Sequence, residues 1–242
     1  MKIKKIVGFG DSWTYGDELI SLDLQDRKYA SSLDQNKEYR EGHCYLGLLG
    51  KHYGVPVENY GIPGGSLQSA IWTFLYWLRN EPNPEQCLVL HGITDSDRFT
   101  LFNPEHHQYC DDEEWNKFEH SAWIEFGSSV IPEHFRDIGK KLLAYSSSPE
   151  LDQYNYEQAV YLFDGTSARQ NIPMLQFHIM PPENPLQVPT LLWPEHNYCN
   201  WIVHHPEKEK VTAPDGHPNE IGHQMIKDQL IPEIDSVILT SC

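Results

Sequence analysis

Ser12 lies in the stretch Gly10-Asp11-Ser12-Trp13-Thr14-Tyr15-Gly16, directly after an apolar, β-branched run, and Asp215 and His217 stand two residues apart near the far end of the chain. A serine hydroxyl is a poor nucleophile until a base within hydrogen-bond reach takes its proton, and that base needs a third group to orient it. His217 can be the base and Asp215 the orienter. Negative charge developing on a carbonyl oxygen needs two or three donors aimed at it, and glycine-rich turns present bare N–H groups. The stretch "NYGIPGGS", with Gly61, Gly64 and Gly65, is such a turn. The amides of Ser12 and Gly64 are therefore candidate oxyanion donors, with a side chain from Gly92-Ile93-Thr94-Asp95 as a third. Each stretch also has a plainer reading. Gly, Asp and Ser are what β-to-α turns prefer, and Asp-Gly-His-Pro suits the start of a helix. A dinucleotide loop is disfavoured, since the G-x-G-x-x-G spacing fails and no acidic ribose partner follows.

The elements that must position these residues alternate between strand and helix. Lys2–Phe9 reads as a strand, and "HCYLGLLGKHYG" and "VPVENYG" as a short helix and a short strand. Leu67, Ala70, Ile71, Phe74, Leu75 and Leu78 form the stripe that packs a helix on a sheet. "QCLVLHGI" and "IPMLQFHIM" are continuous apolar runs, the mark of strands buried on both faces. Pro132–Ser146 and Pro149–Asn171 read as helices, Trp201–Val203 as a short strand, and a last helix starts near Pro218 and runs to about Ser236. This order predicts an α/β fold, a three-layer flavodoxin-like sandwich with a mostly parallel five-stranded sheet. One domain, 1–242, is expected, with insertions near 17–42, 99–131 and 181–213. In such folds ligands sit at the carboxyl ends of the strands, so the loops bearing Ser12, Gly64, Thr94 and His217 converge on one crevice.

Bulk properties narrow the classes. A chain of 242 residues with 39% hydrophobic and 12% aromatic content is long and apolar enough to bury a core. Its formal net charge of −17 argues against a nucleic-acid partner, whose binding rests on clustered Lys and Arg. The five cysteines are scattered without a C-x-x-C pair and read as reduced thiols. No stretch approaches the ~20 apolar residues of a membrane span, and the amino terminus reads as a strand rather than a signal peptide. The expectation is a soluble, cytoplasmic protein with no membrane partner.

Taken together and in order, the stretches resemble the GDSL family, also called SGNH hydrolases: esterases, lipases, thioesterases and carbohydrate deacetylases on a flavodoxin-like sheet. The GDSxTxG block is matched by Gly10 to Gly16, the N-x-x-x-x-G block by Asn59 to Gly64, and the final D-x-x-H-P-N block is approximated by Asp215-Gly216-His217-Pro218-Asn219. The resemblance spans Ser12 to His217. It implies a serine ester hydrolase acting on a small-molecule or carbohydrate acyl ester. Ser12 would be the nucleophile, His217 the base, Asp215 its orienter, and Ser12 N–H, Gly64 N–H and Thr94 the oxyanion donors. Neither metal nor organic cofactor is implied. Two departures stand out. Thr94 occupies the place of an asparagine in the G-x-N-D block, and Asp215 lies two residues before the histidine rather than three. A non-catalytic binding or structural module on the same fold, or an acyltransferase using the same residues, are the alternatives.

Other residues admit two readings. Among thirteen histidines the pairs His106-His107 and His204-His205 lack metal-ligand spacing and read as solvated; His223 falls on the last helix as a structural or solvated residue. Asp17 and Glu18 read as surface charges. Arg98 either braces the third loop against Asp95 or Asp97, or contacts a substrate anion. Trp193, His196, Tyr198 and Trp201 either stack on a sugar or acyl group or form a small satellite core.

Overall fold

The structure, a computed structural model, describes residues 3–27, 30–102, 123–126 and 148–240. The chain runs β1 (Lys5–Gly10), α1 (Ser12–Tyr15), α2 (Asp34–His43), α3 (Tyr45–Tyr53), β2 (Val57–Gly61), α4 (Leu67–Asn80) and β3 (Cys87–Ile93). It continues with β4 (Phe99–Phe102), β5 (Trp123–Phe126), α5 (Pro149–Gln170), β6 (Met174–His178), α6 (Tyr198–Val203), α7 (Lys208–Val211) and α8 (Glu220–Thr240). Strands β2-β1-β3-β6 form one sheet in that order, every pairing parallel, while β4 and β5 make a separate antiparallel pair.

The alternation of side chains along these strands builds two cores. Ile6, Leu88, Leu90, Leu175 and Phe177 face one way, against Tyr45, Leu46 and Leu49 of α3 and Ile226, Leu230 and Ile234 of α8. Val7, Phe9, Val89 and Met174 face the other way, against Phe74 and Trp77 of α4 and Phe163 of α5. All seven residues of β3 are buried, as a strand covered on both faces requires. Helix α4 is held at its start by a reciprocal capping box, Ser66 accepting from the Ser69 amide and Ser69 from the Ser66 amide. The molecule is an open α/β sandwich with helices on both faces of a parallel sheet.

The structure departs from the sequence reading in three places. Residues 34–43, read as part of an insertion loop, form a helix. Its surface is polar, so no periodicity announces it. Tertiary contacts hold it instead: buried Asn36 donates to the Leu19 carbonyl at 2.7 Å, and the Arg40 guanidinium donates to the Ser31 carbonyl at 2.6 Å and lies 3.9 Å over the Tyr15 ring. Trp201–Val203 is helical rather than a strand. The Asn197 side chain caps that turn by accepting from the Asn200 amide, so four strands of the main sheet lie in the described residues where five were expected. Of the region read as a 99–131 insertion, Phe99–Phe102 and Trp123–Phe126 are strands. The helix expected over Pro132–Ser146 and the pair His106-His107 lie outside the described residues. Among the described residues no helix is long and apolar enough to cross a membrane, and Cys44, Cys87 and Cys199 are free thiols.

Phe163 is fully buried where its ring stacks 4.3 Å from Phe74 and 3.9 Å from His91. Truncating such a ring removes its transfer free energy and leaves a cavity. Phe163→Ala is therefore expected to lower stability by ~3–5 kcal/mol, read as a fall in the urea midpoint.

Candidate active site

Strand β1 delivers Ser12 to the carboxyl edge of the sheet. Asp11 ends the strand and caps α1, accepting from the Trp13 amide at 3.0 Å, so Ser12 becomes the first residue of a helix of one turn. Gly16 closes that turn in a left-handed conformation. Asn59 of β2 fixes α1 from the side: its amide donates to the Thr14 carbonyl at 2.8 Å while its oxygen accepts from the Gly61 amide at 2.9 Å. The following turn is tied to β1 by Ile62 donating to the Gly10 carbonyl, and closed by Gly65 donating to the Ile62 carbonyl. Gly64 has φ +71°, a conformation that few residues other than glycine adopt readily. Neither the Ser12 nor the Gly64 amide has a protein acceptor among the described residues.

The turn before α8 brings its residues to the same edge. The bridge between Thr212 and Pro218 and the bond from the Ala213 amide to the His217 carbonyl close it. His217 Nε2 lies 2.8 Å from Ser12 Oγ, and His217 Nδ1 lies 2.6 Å from Asp215 Oδ2. The other Asp215 oxygen accepts from the His217 amide at 3.0 Å. Two-residue spacing thus suffices, because Gly216 turns the chain at φ +96° and lets one carboxylate meet both the backbone and the ring of the same histidine. Asp215 does not cap the last helix. Asn219 does so, accepting from the amides of Ile221 and Gly222, so that α8 begins after Pro218 rather than at it. A proton on Nδ1 would donate to Asp215 and leave Nε2 a lone pair for the serine proton.

Thr94 arrives differently from the sequence expectation. Its hydroxyl donates to Asp11 Oδ2 at 2.7 Å. A hydroxyl has one proton, and this one is committed to Asp11. Arg98 reaches past its own loop: Nη1 lies 3.6 Å from Asp11 Oδ2 and 3.4 Å from the Gly65 carbonyl oxygen. Asp11 is fully buried, and the sequence reading assigned it no task beyond the turn.

Other neighbours of the site take up defined places. His223 is fully buried on α8; its Nδ1 accepts from the Tyr45 amide at 3.2 Å, capping α3. The Tyr45 hydroxyl in turn donates to Thr14 at 3.1 Å, linking α8 and α3 to the helix that begins at Ser12. Glu18, read as a surface charge, is half-buried with φ +65°. Burial first, then the charges of Asp215 and Asp17, push its carboxyl above the usual range, with His217 opposing. No composition or spacing signals a left-handed glutamate. The aromatic group is part of the core beneath α3 and α8 rather than a separate satellite: Tyr198 is buried there, with Trp193, His196 and Trp201 rings 5.5–6.3 Å from it. Among the described residues no cluster of His, Cys, Asp and Glu suits a metal ion.

The fold and the hydrogen-bonded series define a class: an open α/β protein with a serine, a histidine and an aspartate in line at the carboxyl edge of its sheet. No family model matches the chain, and no curated protein does. Solved structures do match. A lipolytic protein of the G-D-S-L family from Veillonella parvula is similar at 14% identity over 95% of this chain and 97% of that one, with a TM-score of 0.39. A psychrotrophic esterase from Pseudoalteromonas sp. is similar at 13% identity over 97% and 98% of the two chains, with a TM-score of 0.47. A variant of an acetyl-xylooligosaccharide esterase from Geobacillus Stearmophilus is similar at 13% identity over 97% and 96%, with a TM-score of 0.36. The likeness is one of fold.

Burial pushes His223 down to about 3, helped by the nearby His217. The unfolded chain binds that proton near the ordinary histidine value, whereas the folded chain resists it down to about 3. Stability is therefore full above the ordinary value and is lost as pH falls through the interval below it. At pH 5 the loss from this residue is about 2 kcal/mol. Urea unfolding at pH 7.5 and 5 checks it, and His223→Gln is expected to shrink the difference.

Proposed function

We propose that this protein is a serine ester hydrolase. The observation that carries the reading is the series Asp215 Oδ2, His217 Nδ1, His217 Nε2, Ser12 Oγ, with contacts of 2.6 and 2.8 Å at its two links. His217 Nε2 takes the Ser12 proton as Oγ bonds to the acyl carbon. The carbonyl oxygen becomes an oxyanion held by the Ser12 and Gly64 amides, which have no competing acceptor among the described residues. Collapse breaks the acyl–alcohol bond, and His217 returns its proton to the departing alcohol oxygen. Water then gives a proton to His217 and its oxygen to the acyl carbon, releasing the acid and restoring Ser12. Asp215 stays ionised and stabilises the imidazolium at each stage.

A neutral acyl ester, of a small alcohol or a carbohydrate, is the substrate class we favour. Glu18 and Asp215 stand beside His217, and the chain carries a net charge of −17. An anionic ester would be repelled from such a mouth. The side chain of Asp215 is 42% exposed, so the crevice opens to solvent on the side of the base, where an alcohol or water must enter.

The test is hydrolysis of p-nitrophenyl acetate and butyrate and of acetylated sugars by the wild type and Ser12→Ala. The wild type is expected to turn over at least one, and Ser12→Ala to fall to background. Equal background rates throughout, together with no labelling of Ser12 by a fluorophosphonate, would mark a non-catalytic module on this fold. Asp215→Asn, which disturbs the tautomer of His217, is expected to cost about 10²–10⁴ in kcat. Gly216→Ala meets no steric neighbour, since nothing lies within 4 Å of its Cβ position. Its effect is backbone strain alone, and it is expected to cost about 1 kcal/mol or more of stability and to lower kcat by misplacing His217.

A further inference from the structure

The Asp11 carboxylate poses a problem for the chemistry just proposed. It is fully buried, one residue from Ser12, and bonded to the amide of Trp13 in the turn that presents the Ser12 amide. An oxyanion formed at that amide would develop beside an existing negative charge in a low-dielectric site, where like charges repel strongly. The Thr94 hydroxyl bonds Asp11 but is neutral and leaves the charge in place.

We propose that Arg98 is the positioning residue that removes this conflict. It cancels the charge of Asp11 and holds the Gly64–Gly65 turn, so that the two oxyanion amides do not sit beside an uncompensated buried carboxylate. The Arg98 side chain is 7% exposed, and its Nη1 stands between Asp11 Oδ2 at 3.6 Å and the Gly65 carbonyl oxygen at 3.4 Å. These are long contacts, and its buried Nε has no partner. A guanidinium placed to brace loops would be expected to use its fork in short, paired bonds. This one is positioned as a charge between the residues that neighbour Ser12 and Gly64.

The inference rests on the hydrolase reading, and one set of variants separates the two. Steady-state hydrolysis of p-nitrophenyl acetate and the rate of Ser12 labelling by a fluorophosphonate are measured for the wild type, Ser12→Ala, Arg98→Gln, Arg98→Lys and the double variant Asp11→Asn with Arg98→Gln. Arg98→Gln is expected to lower kcat about 10²-fold with KM changed less than about threefold, because the charge matters chiefly in the transition state. Arg98→Lys, which keeps the charge, is expected to stay within about tenfold of the wild type. The double variant is expected to recover to within about tenfold of it, since an asparagine can still accept from the Trp13 amide while the charge to be cancelled is gone. Wild-type kcat in Arg98→Gln, a loss confined to KM, or a double variant no better than the single one overturns the inference and leaves the hydrolase reading intact. If melting curves show that Arg98→Gln does not fold, the lysine and double variants decide: a lysine variant more than about 10²-fold down overturns it. Absence of any Ser12-dependent turnover or labelling in the wild type overturns both.

Discussion

A carboxylate withdrawn from water must be satisfied from within the protein, and Asp11 is satisfied by three groups from two parts of the chain. Its own helix offers the Trp13 amide, and the loop after β3 offers both the Thr94 hydroxyl and the positive charge of Arg98. Removing one partner of such a set exposes the desolvation penalty of the others. The consequence is that α1, the β3 loop and the glycine turn cannot shift independently. The site is precise because a buried charge punishes imprecision.

The two cores support this arrangement from below. One seats α3 and α8 on the sheet, and the pair Tyr45–His223 joins those helices where they approach the crevice. A neutral histidine capping a helix in a dry interior uses the ring's polarity without admitting a charge, which is why burial holds its protonation back. At the opposite end of β1, Lys5 pairs with Glu58 of β2 and Glu81 after α4, both at 2.7 Å. The strand that leads into Ser12 is thus fastened by charge at its start and by hydrogen bonds at its finish.

Much of this was legible in the residue order. Continuous apolar runs announced β1, β3 and β6, and the stripe from Leu67 to Leu78 announced α4, because burial on a sheet leaves a period in the sequence. Ser12, His217, Asp215 and Gly64 could be named as candidates because the chemistry proposed for them demands those residue types. The rest depends on contacts between distant residues, which leave no local trace. Helix α2 is polar and is held by Asn36 and Arg40, whose partners lie elsewhere in the chain. Trp201–Val203 looked extended because its aromatic and β-branched residues suit strands, but its packing and the Asn197 cap favour a helical turn. The proton of Thr94 and the reach of Arg98 were beyond reading for the same reason: both end on Asp11, more than eighty residues away.

Ser12 stands on a helix of four residues, Ser12–Tyr15. So short a helix lies far below the length at which helices persist in water. It exists because Asp11, Asn59 and Gly16 hold its ends and the sheet lies beneath it. The reactivity proposed for Ser12 is therefore not a local property of the sequence around it. It arises only when the strands are paired and both ends of the chain have met. An acylating reagent aimed at that serine would report, in one atom, whether the entire molecule has folded.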